Sequence, residues 1–222
     1  MTATMPLFPL GTVLYPGLVL PLHIFEERYR QLVRDLLAGP EPRCFGVVAI
    51  RKGRETGIDG AAALHQIGCT ATLRQVTALE DGRYQLVTVG TQRFRLLTLD
   101  QSQPYLQGEI DLLAEETGDE TAAALAARAV QRAFGDYLTA LADHQGAPIT
   151  LPELPGEPVL LSYLVAATII VDLADRQLLL AEPDAAARLA AERVMLARET
   201  TMLRTLPSTP ATDLRNSPYS PN

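Results

Sequence analysis

Residues 5–29, MPLFPLGTVLYPGLVLPLHIFEERY, place prolines at positions 6, 9, 16 and 21 of an otherwise apolar run. Proline fixes φ and lacks a backbone donor, so it is kept out of central strand ladders and tolerated at strand ends, edges and turns. A membrane span or a secretory apolar core needs an uninterrupted helix-permissive run with basic flanks. Neither fits here, because proline cuts the run every few residues and no basic residue precedes Arg28. The stretch is expected to form two short strands, Leu7 to Leu10 and Leu18 to Leu22, around a turn at Tyr15-Pro16-Gly17.

After Pro21 the periodicity changes. Tyr29, Leu32, Val33, Leu36 and Leu37 fall on one face of a helix, Glu26 and Glu27 occupy its first turn, and Gly39-Pro40 stops it. The β-branched run CFGVVAI from Cys44 predicts a buried strand. GCTATLRQV and YQLVTVG flank Glu80-Asp81-Gly82, a hairpin signal, and RFRLLTL and YLQGEIDLL continue the series. Residues 1–115 are therefore expected to form an antiparallel β-rich barrel or sandwich with one inserted helix. From AEETGDE onward the pattern is helical. A helix over 120–144 carries Leu125, Ala129, Phe134, Tyr137, Leu138 and Leu141, and a second runs from Pro158 to Val171. A short helix follows Asp172, and a last one follows Pro183-Asp184 with Leu189, Val194, Leu196 and Leu203. Residues 119–206 thus read as a helical bundle, and 207–222, polar and rich in proline, as a disordered tail.

The formal charge of -7 argues against a nucleic-acid partner, since sequence-independent affinity for phosphates comes from Lys and Arg. Cys44 and Cys69 lack the paired spacing of a zinc or redox site and are expected to be buried thiols. With no export signal or membrane span, a soluble cytoplasmic protein is expected, with no cofactor and no metal. Phosphate-binding glycine loops, HExxH and GxSxG are absent from the sequence, and its single lysine, Lys52, sits in Arg51-Lys52-Gly53-Arg54. His23, three and four residues before Glu26 and Glu27, is the candidate for a base oriented by a carboxylate, while Ser162 is expected to bond back to its own helix. In Arg93-Phe94-Arg95, strand alternation puts Phe94 in the core and both arginines on the outer side.

Taken in order, these segments resemble the N-terminal domain of Lon protease, the family of LON substrate-binding domains. The matching features are Pro6 to Leu10, Val13 to Gly17, Pro21 to Tyr29, Phe45 to Val48, Gly53 to Gly57 and Gly90 to Arg95. LADRQLLLAEPDAAARL resembles the closing helices of standalone members, and the likeness spans residues 5–206. The ATPase and Ser-Lys peptidase that follow this domain in Lon proteases are missing from the sequence. What the resemblance implies is an α+β fold, a PUA-like β pseudo-barrel followed by a C-terminal helical bundle. It also implies Phe25 and Tyr29 as core anchors, and a non-catalytic role in recognising unfolded or misfolded polypeptides beside an ATP-dependent protease or chaperone. Tyr15, Pro16, His23, Arg93 and Arg95 are the candidates for the polypeptide-binding face. Two alternatives stand beside this one: an RNA-binding barrel using the basic clusters, and a small-molecule hydrolase with His23 as base.

Overall fold

The prolines of the first strand decide how the sheet is built. The computed structural model describes residues 2–51, 64–149 and 153–205; Lys52, Arg54, the Gly53–Gly57 motif and the tail from Pro207 lie outside them. Strand β1 (Thr2–Leu10) changes partner halfway: Thr2 to Pro6 pair antiparallel with β6 (Gln107–Leu112), and Leu7 to Leu10 pair parallel with β3 (Cys44–Ala49). The backbone N–H of Leu7 donates to Leu106 while the carbonyl of Leu10 accepts from Ile50. Alternation along the strand therefore turns the donor-less nitrogen of Pro9 away from β3, where it costs no ladder bond. The parallel β1–β3 pair corrects the expectation of a wholly antiparallel barrel. Between the two strands the chain runs through β2 (Val19–Ile24) and helix α1 (Glu27–Ala38), which serve as the crossover that a parallel pair requires.

Strand β4 (Ile67–Ala78) turns through Gly82, at φ +77°, into β5 (Tyr84–Asp100). The two segments YQLVTVG and RFRLLTL are one strand of 17 residues. Its first half pairs with β2 and β4, and its second half with β4 and β6. At the β6 end the ring β5-β4-β3-β1-β6-β5 is closed; at the other end β2 lies outside β5, and no ladder joins it to β1. The result is a pseudo-barrel closed at one end and slit at the other. Helix α1 packs Tyr29, Leu32 and Val33 against Phe8, Phe45 and Leu86 in the core of the slit end. At the closed end the core is Leu7, Val48, Phe94 and Ile110.

Four helices follow: α2 (Glu120–Gln145), α3 (Pro158–Thr168), α4 (Leu173–Ala181) and α5 (Ala185–Thr205). Each start is chemically marked. Asp119, Glu157 and Asp172 accept backbone N–H groups of α2, α3 and α4, Asp184 accepts from Ala187 of α5, and Pro158 opens α3, where a missing donor costs nothing. Gly146, at φ +67°, ends α2 in the left-handed conformation. The buried faces are Ala123, Val130, Phe134 and Tyr137 on α2 and Leu189, Met195 and Leu196 on α5. Leu125 and Val194, expected on those faces, are exposed. The largest core cluster joins these helices to Val13, Tyr15 and Ala49 from the strand half. Among the described residues no helix is long and apolar enough to cross a membrane.

Candidate functional site

The strand half and the helices are joined by a polar network centred on Arg93. Alternation along β5 does turn Arg93 away from Phe94, but the helices cover that side, leaving Arg93 only 2% exposed. This corrects the expectation of a solvated arginine pair, of which only Arg95 is exposed. The guanidinium donates to Glu115 (2.9 Å) and to the carbonyls of Leu180 (3.0 Å), Glu182 and Pro183 (3.1 Å). It thereby satisfies the carbonyl end of α4, where a cation is also favoured by the helix dipole. Glu115 accepts a second bond from the Tyr163 hydroxyl at 2.5 Å.

Arg188 lies over the Tyr163 ring at 4.1 Å and donates to Leu179 O and Ser162 Oγ. Ser162 in turn donates to Val159 O of its own helix. Tyr15 belongs to this joint too: it is 1% exposed, and its hydroxyl donates to Arg176 O at 2.8 Å. Burial pushes the hydroxyls of Tyr15 and Tyr163 well above the usual phenol range, so neither is a general base near neutral pH. Glu192, fully buried, is held well above the usual carboxylate range by desolvation, which outweighs the nearby Arg188 charge. Tyr15 and Arg93 hold the two halves together rather than facing a partner.

A different place presents binding chemistry. Where the slit opens between the ends of β1 and β2, an apolar groove of about 130 Å³ is lined by Phe8, Pro9, Leu22, Ile24, Phe25 and Tyr29. Its floor is aromatic, with the Phe8 and Tyr29 rings stacked at 4.1 Å and Arg28 lying 4.4 Å over Tyr29. Tyr29 is buried as expected, whereas Phe25 is 56% exposed on the rim, which corrects its assignment to the core. The rim continues with His23, whose ring stacks on Phe25 at 6.2 Å and whose Nε2 lies 3.3 Å from Arg83 Nη1. Glu26, also on the rim, pairs with Arg28 at 3.0 Å, so among the described residues His23 faces a guanidinium and not the carboxylate that a general base would use for orientation.

The strand edges beside the groove are open. Gly90 N–H donates to Leu18 O, so alternation points the backbone groups of Leu20, Leu22 and Ile24 toward β5 and those of Val19, Pro21 and His23 outward. Pro21 and Pro9 each remove a donor from these edges, while the N–H groups of Val19 and His23 and the outward carbonyls remain. Of the five sequence candidates only His23 lies on the groove; Pro16 is half-buried in the turn before β2. Phe8, Phe25 and Tyr29 had no separate sequence signal as a binding set, because what unites them is the unpaired approach of β1 to β2. Among the described residues no group of three or more His, Cys, Asp or Glu is placed to hold a metal ion.

The family model described as the ATP-dependent protease La (LON) substrate-binding domain matches residues 4–198. Lon protease 2 of Myxococcus xanthus is 28% identical over 202 residues, which cover 90% of this chain and 24% of that protein. The chain thus spans about a quarter of the length of the curated relatives it matches. Among solved structures, the Lon N-terminal domain protein from Xanthomonas campestris superposes with a TM-score of 0.59 at 24% identity, covering 92% of this chain and 99% of that one. The N-terminal domain of the Mycobacterium avium complex Lon protease gives 0.61 at 18% identity, with 90% and 98% covered.

Proposed function

The chain belongs to the ATP-dependent protease La (LON) substrate-binding domain family, and from that premise we propose that it is a non-catalytic module recognising exposed segments of unfolded or misfolded polypeptides. The groove at the slit end carries the reading. An extended segment lies along the free edge of β2, bonding to the outward backbone groups of Val19, Pro21 and His23, and seats an apolar side chain between Phe25 and the Phe8–Tyr29 stack. Main-chain pairing supplies sequence-tolerant affinity and the pocket supplies preference for large apolar residues. Pro9 and Pro21 blunt the edges against pairing with other copies of the chain, a recurring device on exposed strands. The module acts in the cytoplasm as an adaptor that hands such segments to an ATP-dependent protease or chaperone. The nucleic-acid alternative is weakened by the burial of Arg93 and by the pairing of Arg28, Arg30, Arg34 and Arg83 with carboxylates.

The test is fluorescence anisotropy with a permanently unfolded, reduced and alkylated protein as probe. Phe25 is exposed, so Phe25→Asp leaves the fold intact. Losing one aromatic contact, about half of the 1.5–3 kcal/mol of a full side-chain burial, weakens binding roughly three- to tenfold. Undiminished binding by Phe25→Asp, or no binding by the native chain, would refute the groove as the site.

A further inference from the structure

A second cleft, of about 640 Å³, opens between the start of β4 and helix α4 and shares no residue with the groove. Its lining joins aliphatic side chains, Leu64, Ile67 and the 47% exposed Leu178, to Arg51 and His65, which lie close enough for the Arg51 charge to act on the ring. They are the only charged or titratable residues in the described lining, which contains no carboxylate. Gln177 lies on the cleft wall only 6% exposed; its Nε2 donates to Ile67 O at 2.9 Å and its Oε1 has no hydrogen-bond donor. A buried acceptor without a donor is uncommon in folded proteins.

We propose that this cleft is a second binding site, for an acidic peptide segment that carries a carboxylate next to an aliphatic side chain. The carboxylate sits between Arg51 and His65, and the aliphatic side chain packs on Leu64 and Leu178. Charge complementarity selects the occupant: Arg51, with no carboxylate among the described lining residues, gains from one, and His65 joins it once protonated, a gain that a neutral or basic segment does not provide. Desolvation and the Arg51 charge hold His65 below its ordinary 6.5, and a bound carboxylate reverses the second effect. Binding therefore takes up a proton in the range where His65 titrates, below its ordinary value, and affinity rises as pH falls through that range.

The experiment uses the whole chain and a fluorescein-labelled, C-terminally amidated peptide of alternating Glu and Leu, with a Gln-for-Glu counterpart. At low salt the acidic peptide is expected to bind at least tenfold more tightly than its counterpart. That preference shrinks with added salt and with rising pH, and is lost in Arg51→Ala. Leu178→Ser weakens both peptides, and Phe25→Asp leaves the preference untouched, so the cleft stands or falls separately from the groove. Equal binding of the two peptides, a preference that survives Arg51→Ala, or one abolished by Phe25→Asp would each overturn the assignment.

Discussion

Replacing Arg93 by Met keeps the aliphatic stem of a fully buried side chain and removes the guanidinium that joins β5 to the end of α4. Four acceptors lose their donor: Glu115 and the carbonyls of Leu180, Glu182 and Pro183. Hydrogen bonds to a charged group contribute about 1.5–3 kcal/mol each, but the guanidinium costs several kcal/mol to desolvate, and Glu115, whose side chain is 26% exposed, regains water when released. The net loss expected is about 3–5 kcal/mol, the usual cost of removing one partner of a buried ion pair. With a urea m-value of about 2–3 kcal/mol/M, that lowers the unfolding midpoint by roughly 1–2 M. Arg93→Lys keeps the charge but cannot reach all four acceptors, and falls between Met and the native chain. Arg95→Met, two residues along the same strand and exposed, is expected to change stability by less than about 0.5 kcal/mol. The chain has no tryptophan, so circular dichroism at 222 nm is the probe. A midpoint for Arg93→Met within about 0.3 M of the native one would refute the claim that this network holds the two halves together.

Gly90 and Gly135 are expected to respond in opposite directions to alanine. A Cβ at Gly90 collides with the Tyr15 carbonyl, and thermal denaturation should show a loss above about 2 kcal/mol; Gly135, within α2, has open space around it and should gain about 0.5–1 kcal/mol. Glu192, its carboxyl raised by burial, binds its proton more tightly in the folded chain than in the unfolded one, so the stability it contributes is full below about pH 4.5 and is lost as pH rises toward its folded value. Glu192→Gln should flatten the decline in Tm over that range and raise Tm at neutral pH, and an unchanged slope would contradict it. Burial pushes the Cys69 thiol up to about 12, and Cys44 is half-buried with a smaller rise, so native alkylation at pH 8 should label Cys44 first and Cys69 only on unfolding.

Local chemistry made much of this architecture legible in the sequence. Pro16 announced the turn before β2, the spacing of Tyr29, Leu32 and Val33 announced α1, and Pro158 and Asp172 marked helix starts, whereas the first strand, expected over Leu7 to Leu10, runs from Thr2 with Pro6 and Pro9 inside it. What alternation and periodicity do not carry is the identity of the covering element. They placed Arg93 on the outer side of β5 correctly but not the helices above it, which turn an apparently solvated arginine into a buried one. Gly90 looked like the end of a strand because glycine weakens strands; its reason is the close approach of the Tyr15 carbonyl, a contact between residues 75 apart in sequence. Cys44, expected to be buried, lies at the start of β3 and is half-buried. The groove was invisible for a related reason, since it is made by two strands that do not pair, and no local pattern encodes a missing ladder.

The pairing of the first strands has a consequence for biosynthesis. Thr2 pairs with Asp111 and Val19 with Val89, so most of β1 and all of β2 have no partner until the middle of the chain has been made. At about 5–20 residues per second, the apolar opening segment is exposed for roughly 5–20 s before β5 and β6 emerge. During that interval it has the composition of a strand that pairs with neighbouring nascent copies. Four prolines within 16 residues, spaced so that no long stretch offers consecutive donors, make it a poor template for such pairing until its own partners arrive.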